Sequence, residues 1–293
     1  MQLWNLDGNF VEYDKIPVSL FNRSFYFGDS LTEPLWIQDG FIPFWEEHYF
    51  HLMASMRKLR YAIPMEFTPE YLEQQCLALW EKAGKPAKLY LEIQVVRSQT
   101  QVPWSKEGGV HFLIHTIEDL PMATLSPDAE AEECELYKDH YLPSGLLANL
   151  SSPNPAAISV AHSFAIENGY ADCALLNESK QVVRALSGLI FIASEDGIKI
   201  PELSGGSPAW VVRKQALILL DAMARENDWS IEEVAISPFE IPKAKEVFTM
   251  DPYARLYSWK KYRKTVYQQF SWKERLEEAF QGACLPKEEK EEA

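Results

Sequence analysis

The sequence is poor in cysteine, and its cysteines lack the spacing of a metal site. Only four occur in 293 residues, and no two of them form a Cys-x-x-Cys pair. They are Cys76, Cys134, Cys173 and Cys284. This spacing excludes the common zinc motifs, and a chain of this length does not depend on disulfides to hold a core together. We therefore predict neither a metal site nor a disulfide framework.

Long apolar runs are also missing. No stretch reaches the roughly 18 consecutive apolar residues that indicate a membrane-spanning helix. The first ten residues, MQLWNLDGNF, include an acid and lack the apolar core of a signal peptide. We therefore expect a cytoplasmic protein that does not enter a membrane.

Positive charge is scarce relative to negative charge. The chain has 28 Lys and Arg against 43 Asp and Glu, which gives a formal net charge of −15. A nucleic-acid-binding protein needs a basic surface for the phosphates, so we expect neither DNA nor RNA as a partner. Hydrophobic residues make up 47% of the chain, which is typical of a globular protein with one large domain or two smaller ones.

Turn and capping signals organise the first part of the chain. We predict strands and turns over residues 1–45, because the Asp-Gly pairs at 7–8 and 39–40 supply the positive φ values that hairpins need. The second pair is predicted to join Leu35–Ile37 to Phe41–Trp45. Thr68 before Pro69 indicates the start of a helix. Periodicity predicts helices at 46–60 and 68–83 and strands at 88–97 and 110–117. The apolar positions of the first helix are Phe50, Met53 and Met56, or alternatively Leu52 and Leu59.

An acidic, proline-containing segment follows at 118–133, and it is typical of a linker. We predict a small N-terminal domain at 1–120, a linker at 121–133, a larger domain at 134–280 and a charged tail at 281–293. In the larger domain the pattern predicts strands at 134–141, 174–177, 188–193 and 246–250, and helices at 155–168, 208–227 and 273–280. Gly169 is predicted to end the first of these helices.

Several motifs occur in a recognisable order. The first are Arg23-Ser-Phe-Tyr-Phe-Gly28-Asp29-Ser30, Glu33 and His48-Tyr-Phe-His51-Leu52; the later ones are Gly169-Tyr-Ala-Asp172-Cys-Ala-Leu-Leu176-Asn177, Leu189-Ile-Phe-Ile192 and Glu246-Val-Phe248. Over roughly residues 1–265 the chain resembles the fold-type IV pyridoxal-phosphate enzymes, which are the branched-chain and D-amino-acid aminotransferases and the aminodeoxychorismate lyases. The resemblance implies an α+β fold with a small N-terminal α/β domain and a larger C-terminal domain containing a barrel-like sheet. It also implies a homodimer.

The residues that carry the chemistry of that family are replaced. The resemblance places the Schiff-base lysine at Ser151, whose hydroxyl cannot form an imine. It places the carboxylate that faces the pyridine nitrogen at Arg184, whose charge would repel a protonated ring. The phosphate-binding arginine falls at His51, and the phosphate loop contains Met250 and Asp251.

These departures favour a homologue that does not carry out pyridoxal-phosphate chemistry. We predict no catalytic residue and no cofactor, and a remnant cleft lined by His51, Ser151, Arg184, Met250 and Asp251. Such a homologue either binds a small anion in that cleft or acts only as a subunit or scaffold. The alternative is an active pyridoxal-phosphate-dependent aminotransferase or aminodeoxychorismate lyase with an unrecognised lysine. Lys138 is a candidate for that role, but it lies on the predicted strand at 134–141, thirteen residues before Ser151. It is interpreted instead as a strand lysine at the surface or at the rim of the cleft. Whether the chain is an enzyme stays open at this point.

The histidines allow other groupings. His48 and His51 lie one helical turn apart, but a metal there would need further ligands, for which Glu47 and Asp29 are only guesses. His111 and His115 share one face of a strand at a separation of about 13 Å, which is too far to share a metal. They are interpreted as half-buried strand residues.

Three further interpretations concern the predicted cleft. Ser151 and Ser152 suggest a nucleophile, but the G-x-S-x-G elbow is missing and no base can be assigned. Arg184 and Arg255 could form an anion pocket, or Arg184 could pair with Asp251 or Glu33. Trp210 and Met250 could fill the space that a cofactor would occupy, and filling is the favoured interpretation.

Overall fold

A computed structural model describes residues 3–17, 22–98, 109–117, 133–152 and 156–284. The chain separates into two compact units. The first unit contains the described residues up to 117 together with Ser151 and Ser152, and the second contains 133–150 and 156–284. Nearly all of the predicted linker and most of the predicted tail lie outside the described residues. The domain boundaries at 120 and 134 therefore stay predictions.

The first unit is built on an antiparallel sheet of five strands. Its order is β2-β1-β5-β4-β3, and the strands are β1 (Leu3–Leu6), β2 (Asn9–Glu12), β3 (Leu31–Gln38), β4 (Lys88–Arg97) and β5 (Val110–Thr116). The helices of this unit are α1 (Asn22–Phe27), α2 (Trp45–Lys58) and α3 (Pro69–Lys82). Alternate residues of β4, namely Leu91, Ile93 and Val95, are buried, as the period of a half-buried strand requires.

The local signals of the sequence are confirmed in this unit. Asp7 and Gly8 have φ values of +49° and +84°, which is the geometry of a two-residue hairpin turn between β1 and β2. Thr68 caps α3, because its hydroxyl oxygen accepts the amide proton of Tyr71 at 3.2 Å. Pro69 occupies the first helical position. The bounds of β4 are those predicted.

Two predictions for this unit are wrong. Residues 22–27 form a helix rather than a strand or a turn. After the turn at 39–40, only Phe41 bridges back to Gln38, because Phe44 adopts a φ of +56° and starts α2. Of the alternatives for the apolar face of α2, Leu52 is buried together with Met53 and Met56, whereas Phe50 is 58% exposed.

The second unit contains two five-stranded sheets. One has the order β11-β10-β9-β12-β13 and the other β15-β14-β6-β7-β8. The strands are β6 (Glu133–Leu136), β7 (Asp172–Leu176), β8 (Val182–Ala185), β9 (Leu189–Ala193), β10 (Gly197–Pro201), β11 (Ser230–Val234), β12 (Glu246–Met250), β13 (Leu256–Ser258), β14 (Lys261–Tyr262) and β15 (Thr265–Val266). The helices are α4 (Ala156–Asn168), α5 (Val211–Asn227) and α6 (Ser271–Ala283).

The two sheets close on each other to give the barrel-like arrangement. The edge strand β8 reaches the other sheet through a bridge between Val182 and Ile236, whose main chains are hydrogen-bonded at 2.9 Å. A single buried cluster then joins side chains of both sheets, including Leu176 from one and Ile192 and Val247 from the other. The α+β fold class predicted from the sequence is therefore confirmed.

Several boundaries differ in the second unit. The strand predicted at 134–141 ends at Leu136, and the helix predicted at 208–227 begins only at Val211. Gly169 follows α4 with a φ of +70°, as predicted for the residue that ends this helix. The strands β10, β11 and β13 to β15 were not predicted, because each has only two to five residues.

The sequence predicted neither disulfides nor a membrane-spanning helix, and the described residues bear on both. All four cysteines are buried, and none of them is in a disulfide in the structure. In the part of the chain that the structure describes, no helix has the length and apolar character needed to cross a membrane.

Candidate functional site

A buried carboxylate in the first unit binds two imidazoles. Glu33 of β3 is 2% exposed, and its Oε1 lies 2.7 Å from Nδ1 of His48. Its Oε2 lies 2.6 Å from Nδ1 of His51, one turn further along α2. A carboxylate only accepts hydrogen bonds, so both Nδ1 atoms carry the proton and donate it to Glu33. The two histidines are thereby held in one orientation.

This pairing changes the charge of the groups involved. Burial alone would raise the pKa of Glu33, but the charge of His51 and the hydrogen bonds from both rings lower it below its ordinary value. Burial alone would lower the pKa of His51, but the charge and hydrogen bond of Glu33 raise it. Among the described residues, neither Nε2 of His48 nor Nε2 of His51 has a hydrogen-bond partner, although both atoms are buried. His51 therefore presents a buried donor with a preference for the charged state.

The two acids suggested as further metal ligands do not contact His48 or His51 through any hydrogen bond among the described residues. The acid that binds both rings is Glu33. Asp29 instead accepts a 2.8 Å hydrogen bond from Nε of Arg23. Over the described ranges, no group of three or more His, Cys, Asp or Glu side chains is arranged to hold a metal ion.

Ser151 and Ser152 are held in the first unit by the start of β3. The carbonyl oxygen of Ser151 accepts the amide proton of Thr32 at 2.9 Å. The hydroxyl of Ser152 donates to the carbonyl oxygen of Gly28 at 3.0 Å. Both serines are half-buried. The main chain of Ser151 and the hydroxyl of Ser152 thus tie this segment to the residues at the start of β3.

Arg184 of β8 lies in the second unit and binds main-chain oxygens. Its Nε donates to the carbonyl of Ala185 at 2.9 Å and one terminal nitrogen donates to the carbonyl of Leu186 at 3.4 Å. The guanidinium also lies 5.2 Å from the ring centre of Trp210. Desolvation lowers the pKa of Arg184 to about 10, against the pull of Asp172, so it remains a cation at neutral pH. The proposed pairing of Arg184 with Asp251 is not what the structure shows, since Asp251 pairs with Arg255.

Asp251 organises a tight turn after β12. Its Oδ1 accepts the amide protons of Tyr253 and Arg255, each at 2.9 Å. Its Oδ2 accepts Nε of Arg255 at 2.6 Å, and its main-chain carbonyl accepts the amide of Ala254 at 3.1 Å. Burial raises the pKa of Asp251, opposed by Arg255 and the two amides. The amides of residues 253 to 255 are therefore all bound to groups of the same turn.

Met250 and Trp210 are both buried. Met250 ends β12 with no exposed surface, and Trp210 is 9% exposed at the residue before α5. Gly188 approaches the backbone of Met250 so closely that a Cβ on it would overlap the carbonyl oxygen of Met250. This close contact fixes the position of the residue that precedes the Asp251 turn.

A second buried carboxylate, Asp172, lies in the second unit, and the sequence motif at 169–177 gave it no role of its own. It begins β7, is 1% exposed, and accepts Nε1 of Trp259 at 3.0 Å and the hydroxyl of Ser187 at 2.5 Å. Oγ of Ser187 also lies 2.7 Å from Oγ1 of Thr249, which must donate because the only proton of Ser187 is used on Asp172. Desolvation raises the pKa of Asp172 against these hydrogen bonds. The network ties both sheets of the second unit together.

The five predicted site residues fall into two groups. His51 and Ser151 belong to the first unit, and Arg184, Met250 and Asp251 belong to the second. Within the second unit, Met250 and Asp251 are adjacent, while the hydrogen bonds of Arg184 run to its own hairpin. The partner that sequence reasoning missed in the first unit is Glu33. Its signal was a single acid in a strand most of whose other residues are buried, since such an acid requires a buried donor.

Solved structures of several aminotransferases share this fold. The branched-chain aminotransferase of Thermoproteus uzoniensis, solved with norvaline, is 17% identical, has a TM-score of 0.78 and is matched over 97% of this chain and 95% of its own. The branched-chain amino acid aminotransferase of Escherichia coli is 15% identical with a TM-score of 0.79, over 96% and 94%. A putative 4-amino-4-deoxychorismate lyase of Legionella pneumophila is 15% identical with a TM-score of 0.76, over 93% and 98%. At these identities the similarity shows the fold alone.

Sequence comparison extends this result. No curated protein sequence matches the chain. The family model described as amino-transferase class IV matches residues 30–251, which is most of the chain and includes Glu33, both histidines of α2, Arg184 and Asp251. The resemblance seen in the sequence motifs is thereby confirmed, and the chain belongs to the class IV aminotransferase family.

Proposed function

We propose that this member of the family does not carry out pyridoxal-phosphate chemistry. The lysine position is Ser151, and the carboxylate and phosphate-binding positions are Arg184, His51 and Asp251. A cofactor held covalently needs an amine for the imine, and a serine hydroxyl cannot supply one. The competing hypothesis is an active aminotransferase or aminodeoxychorismate lyase that uses another lysine.

The turn at Asp251 is the observation that carries this proposal. In the resemblance this loop helps to bind the cofactor phosphate, which requires free amide donors and positive charge. Here the carboxylate of Asp251 accepts hydrogen bonds from the amides of Tyr253 and Arg255 and from Nε of Arg255. These are the donors that a phosphate would need. A phosphate would have to displace a buried anion that already accepts four hydrogen bonds. The residues present do not fit the phosphate group.

Arg184 supports the same conclusion from the ring side. The chemistry of the cofactor depends on a carboxylate that keeps the pyridine nitrogen protonated. At this position the chain has a guanidinium that stays charged at neutral pH. Two charged donors facing each other repel, so the pair would favour an unprotonated pyridine, which is a poor electron sink.

An absorbance spectrum tests the proposal. The purified full-length protein is mixed with pyridoxal phosphate, scanned for the visible band of an internal aldimine, reduced with borohydride and weighed by intact mass spectrometry. We expect no specific band and no stoichiometric mass increase. A gain of one cofactor per chain would overturn the proposal, and peptide mapping would identify the lysine that carries it.

Replacing the missing amine sharpens this test. The variant Ser151→Lys restores the lysine but leaves Arg184 and Asp251 in place. We expect it to label no more strongly than Ser152→Lys, its matched neighbour, because the phosphate loop is still closed by Asp251. Stoichiometric labelling of Ser151→Lys alone would show that the phosphate site is intact and would contradict the argument from Asp251.

We further propose that the chain is a homodimer and that it binds a small anion through His51. Nε2 of His51 is a buried donor whose ring is biased toward the cation by Glu33. Titration calorimetry with inorganic phosphate should show binding that weakens as the pH rises through the raised pKa of His51, and that is lost in His51→Asn.

Sedimentation at micromolar concentration tests the proposed homodimer, and a monomer would contradict it.

A further inference from the structure

A serine, a histidine and an aspartate form a continuous hydrogen-bonded relay in the first unit. Oγ of Ser98, directly after β4, lies 2.6 Å from Nε2 of His111 on β5. Nδ1 of the same ring lies 2.6 Å from Oδ2 of Asp7, in the turn between β1 and β2. The residues are 13 and 104 positions apart in the sequence. None of the three belongs to the positions considered for pyridoxal phosphate.

The hydrogen bonds fix where the protons are. The carboxylate of Asp7 can only accept, so Nδ1 of His111 carries its proton and donates it. In the neutral ring, Nε2 then has a free electron pair, and it accepts the hydroxyl proton of Ser98. The serine is thus bonded to a base, and the base is oriented by a carboxylate, which is the arrangement that activates a serine nucleophile.

The backbone holds Asp7 firmly in place. Its φ of +49° belongs to the hairpin turn, and its main chain donates to the carbonyl of Phe112 at 3.1 Å. Its Oδ1 accepts the amide of the same Phe112 at 2.9 Å, which leaves Oδ2 directed to the histidine. Gly8 completes the turn, with its amide bonded to Oδ1 of Asn5 at 2.9 Å. Asp7 is therefore a positioning residue built into a rigid turn.

Gly109 lies next to the hydroxyl of Ser98. The amide of Ser98 donates to the carbonyl of Gly109 at 2.9 Å, which fixes the backbone on both sides of the relay. A Cβ added to Gly109 would lie 3.2 Å from Oγ of Ser98. The absence of a side chain at Gly109 keeps that side of the hydroxyl open.

We propose that Ser98, His111 and Asp7 form a nucleophilic site that hydrolyses small activated esters. Oγ of Ser98 attacks the carbonyl carbon while Nε2 of His111 takes the hydroxyl proton. The ester C–O bond breaks, and the alcohol leaves with that proton. Water then attacks the acyl group and gives a proton to His111. The acyl–Oγ bond breaks, the acid is released, and the proton returns to Oγ of Ser98.

The exposure of the relay sets the class of substrate. The side chains of His111 and Asp7 are 34% and 37% exposed, so water reaches them. Stabilisation of a developing oxyanion is weaker where water has access than in a closed site. The site therefore suits short acyl esters with good leaving groups, which need little stabilisation, rather than amides.

Covalent labelling tests the proposal directly. The full-length protein is incubated with diisopropyl fluorophosphate, in which attack by Oγ forms a P–O bond and expels fluoride. We expect one adduct per chain, located on Ser98 by peptide fragmentation, and a matching initial burst of nitrophenolate from p-nitrophenyl acetate. Ser98→Ala should abolish both signals. His111→Gln should slow labelling by about 100-fold or more, which is the usual contribution of a positioned base.

Matched variants separate chemistry from structure. Asp7→Asn keeps a residue that tolerates positive φ but removes the carboxylate, and we expect slower labelling together with a change in the ¹⁵N shifts of His111 that report its tautomer. Ser163→Ala, on an exposed turn of α4, should label like the parent. Gly109→Ala should slow labelling by crowding Oγ. An adduct elsewhere than Ser98, no adduct at all, or equal rates in His111→Gln would overturn the proposal.

Discussion

The turn at Asp251 and the imidazole pair at Glu33 are both buried charge clusters, and they differ in how completely they are satisfied. Each turn amide from Tyr253 to Arg255 has an acceptor on Asp251, either its carboxylate or its main-chain carbonyl. Glu33 likewise satisfies one nitrogen on each of its two histidines. The outer nitrogens of those rings are buried with no partner among the described residues.

This difference predicts which of the two clusters stabilises the fold and which of them can bind a ligand. A closed cluster loses hydrogen bonds when a ligand enters, so it stabilises the fold and excludes ligands. A cluster with buried unpaired polar atoms already bears a desolvation penalty of about 1–3 kcal/mol per group, which a ligand can relieve. The turn amides of the second unit are thus bound by the chain itself, while the first unit retains buried ring nitrogens without a partner among the described residues.

Of the substitutions considered, removal of the Asp251 carboxylate should lower the free energy of unfolding most. Asp251→Ala leaves two amides and the guanidinium of Arg255 without their acceptor. Loss of one partner of a buried pair costs about 3–5 kcal/mol. Denaturant unfolding measures this loss, and added acetate should restore part of it by occupying the vacated position. Asp221→Ala, an exposed site on α5, is the control and should change stability little. A small loss for Asp251→Ala would show that the turn is not closed.

A methyl group at Gly188 should disturb the same cluster mechanically. Gly188→Ala would overlap the carbonyl of Met250 and displace the residue before the turn, without removing any polar group. We expect a loss of about 3 kcal/mol from overpacking and backbone strain. The matched control is Gly282→Ala in α6, where an added Cβ meets nothing within 4 Å. That variant should gain a few tenths of a kcal/mol, up to about 1 kcal/mol. Equal melting temperatures for the two variants would contradict the packing argument.

Replacing Glu33 should have a smaller effect that depends on pH. Glu33→Gln keeps the shape but offers an amide to one of the two Nδ1 donors, and the loss should be about 2 kcal/mol. Because the pKa of His51 is raised, its contribution is complete below about 6.5 and is lost as the pH rises through the raised value. Because the pKa of Glu33 is lowered, its contribution is complete above about 4.5 and is lost as the pH falls.

The difference in melting temperature between the parent and Glu33→Gln should therefore be largest near pH 5 to 6.5 and should shrink on both sides. His51→Asn should remove most of the decline on the alkaline side. A difference that is constant from pH 4 to 9 would show that the carboxylate and His51 are not electrostatically coupled.

Local signals in the sequence predicted much of the fold. The hairpin at Asp7-Gly8, the cap at Thr68 and the glycine after α4 are each decided within a few residues, and each is confirmed. Strand β12 has the predicted bounds. Helix α1 was missed because its six residues are too few to display a helical period.

The candidate sites were less accessible to sequence reasoning. The motifs located His51, Arg184 and Asp251, but their partners follow from tertiary geometry. Glu33 meets His51 across 18 residues, and Arg255 turns back on Asp251 only because of a tight loop. The relay of Ser98, His111 and Asp7 spans three separate strands or turns. Spacing along the chain carries no signal for such contacts, since they depend on the register between strands.

The parallel pairing of β6 also sets the order in which the second unit can form. β6 lies between β7 and β14, and Glu133 pairs with Lys261, 128 residues later. At translation rates of about 5–20 residues per second, those residues take roughly 6–26 s to emerge. During that interval a nascent chain would hold β6 with one edge unpaired, and such an edge is a template for association with other chains. Shielding by a chaperone during synthesis should therefore raise the yield of this protein more than chaperones added after release.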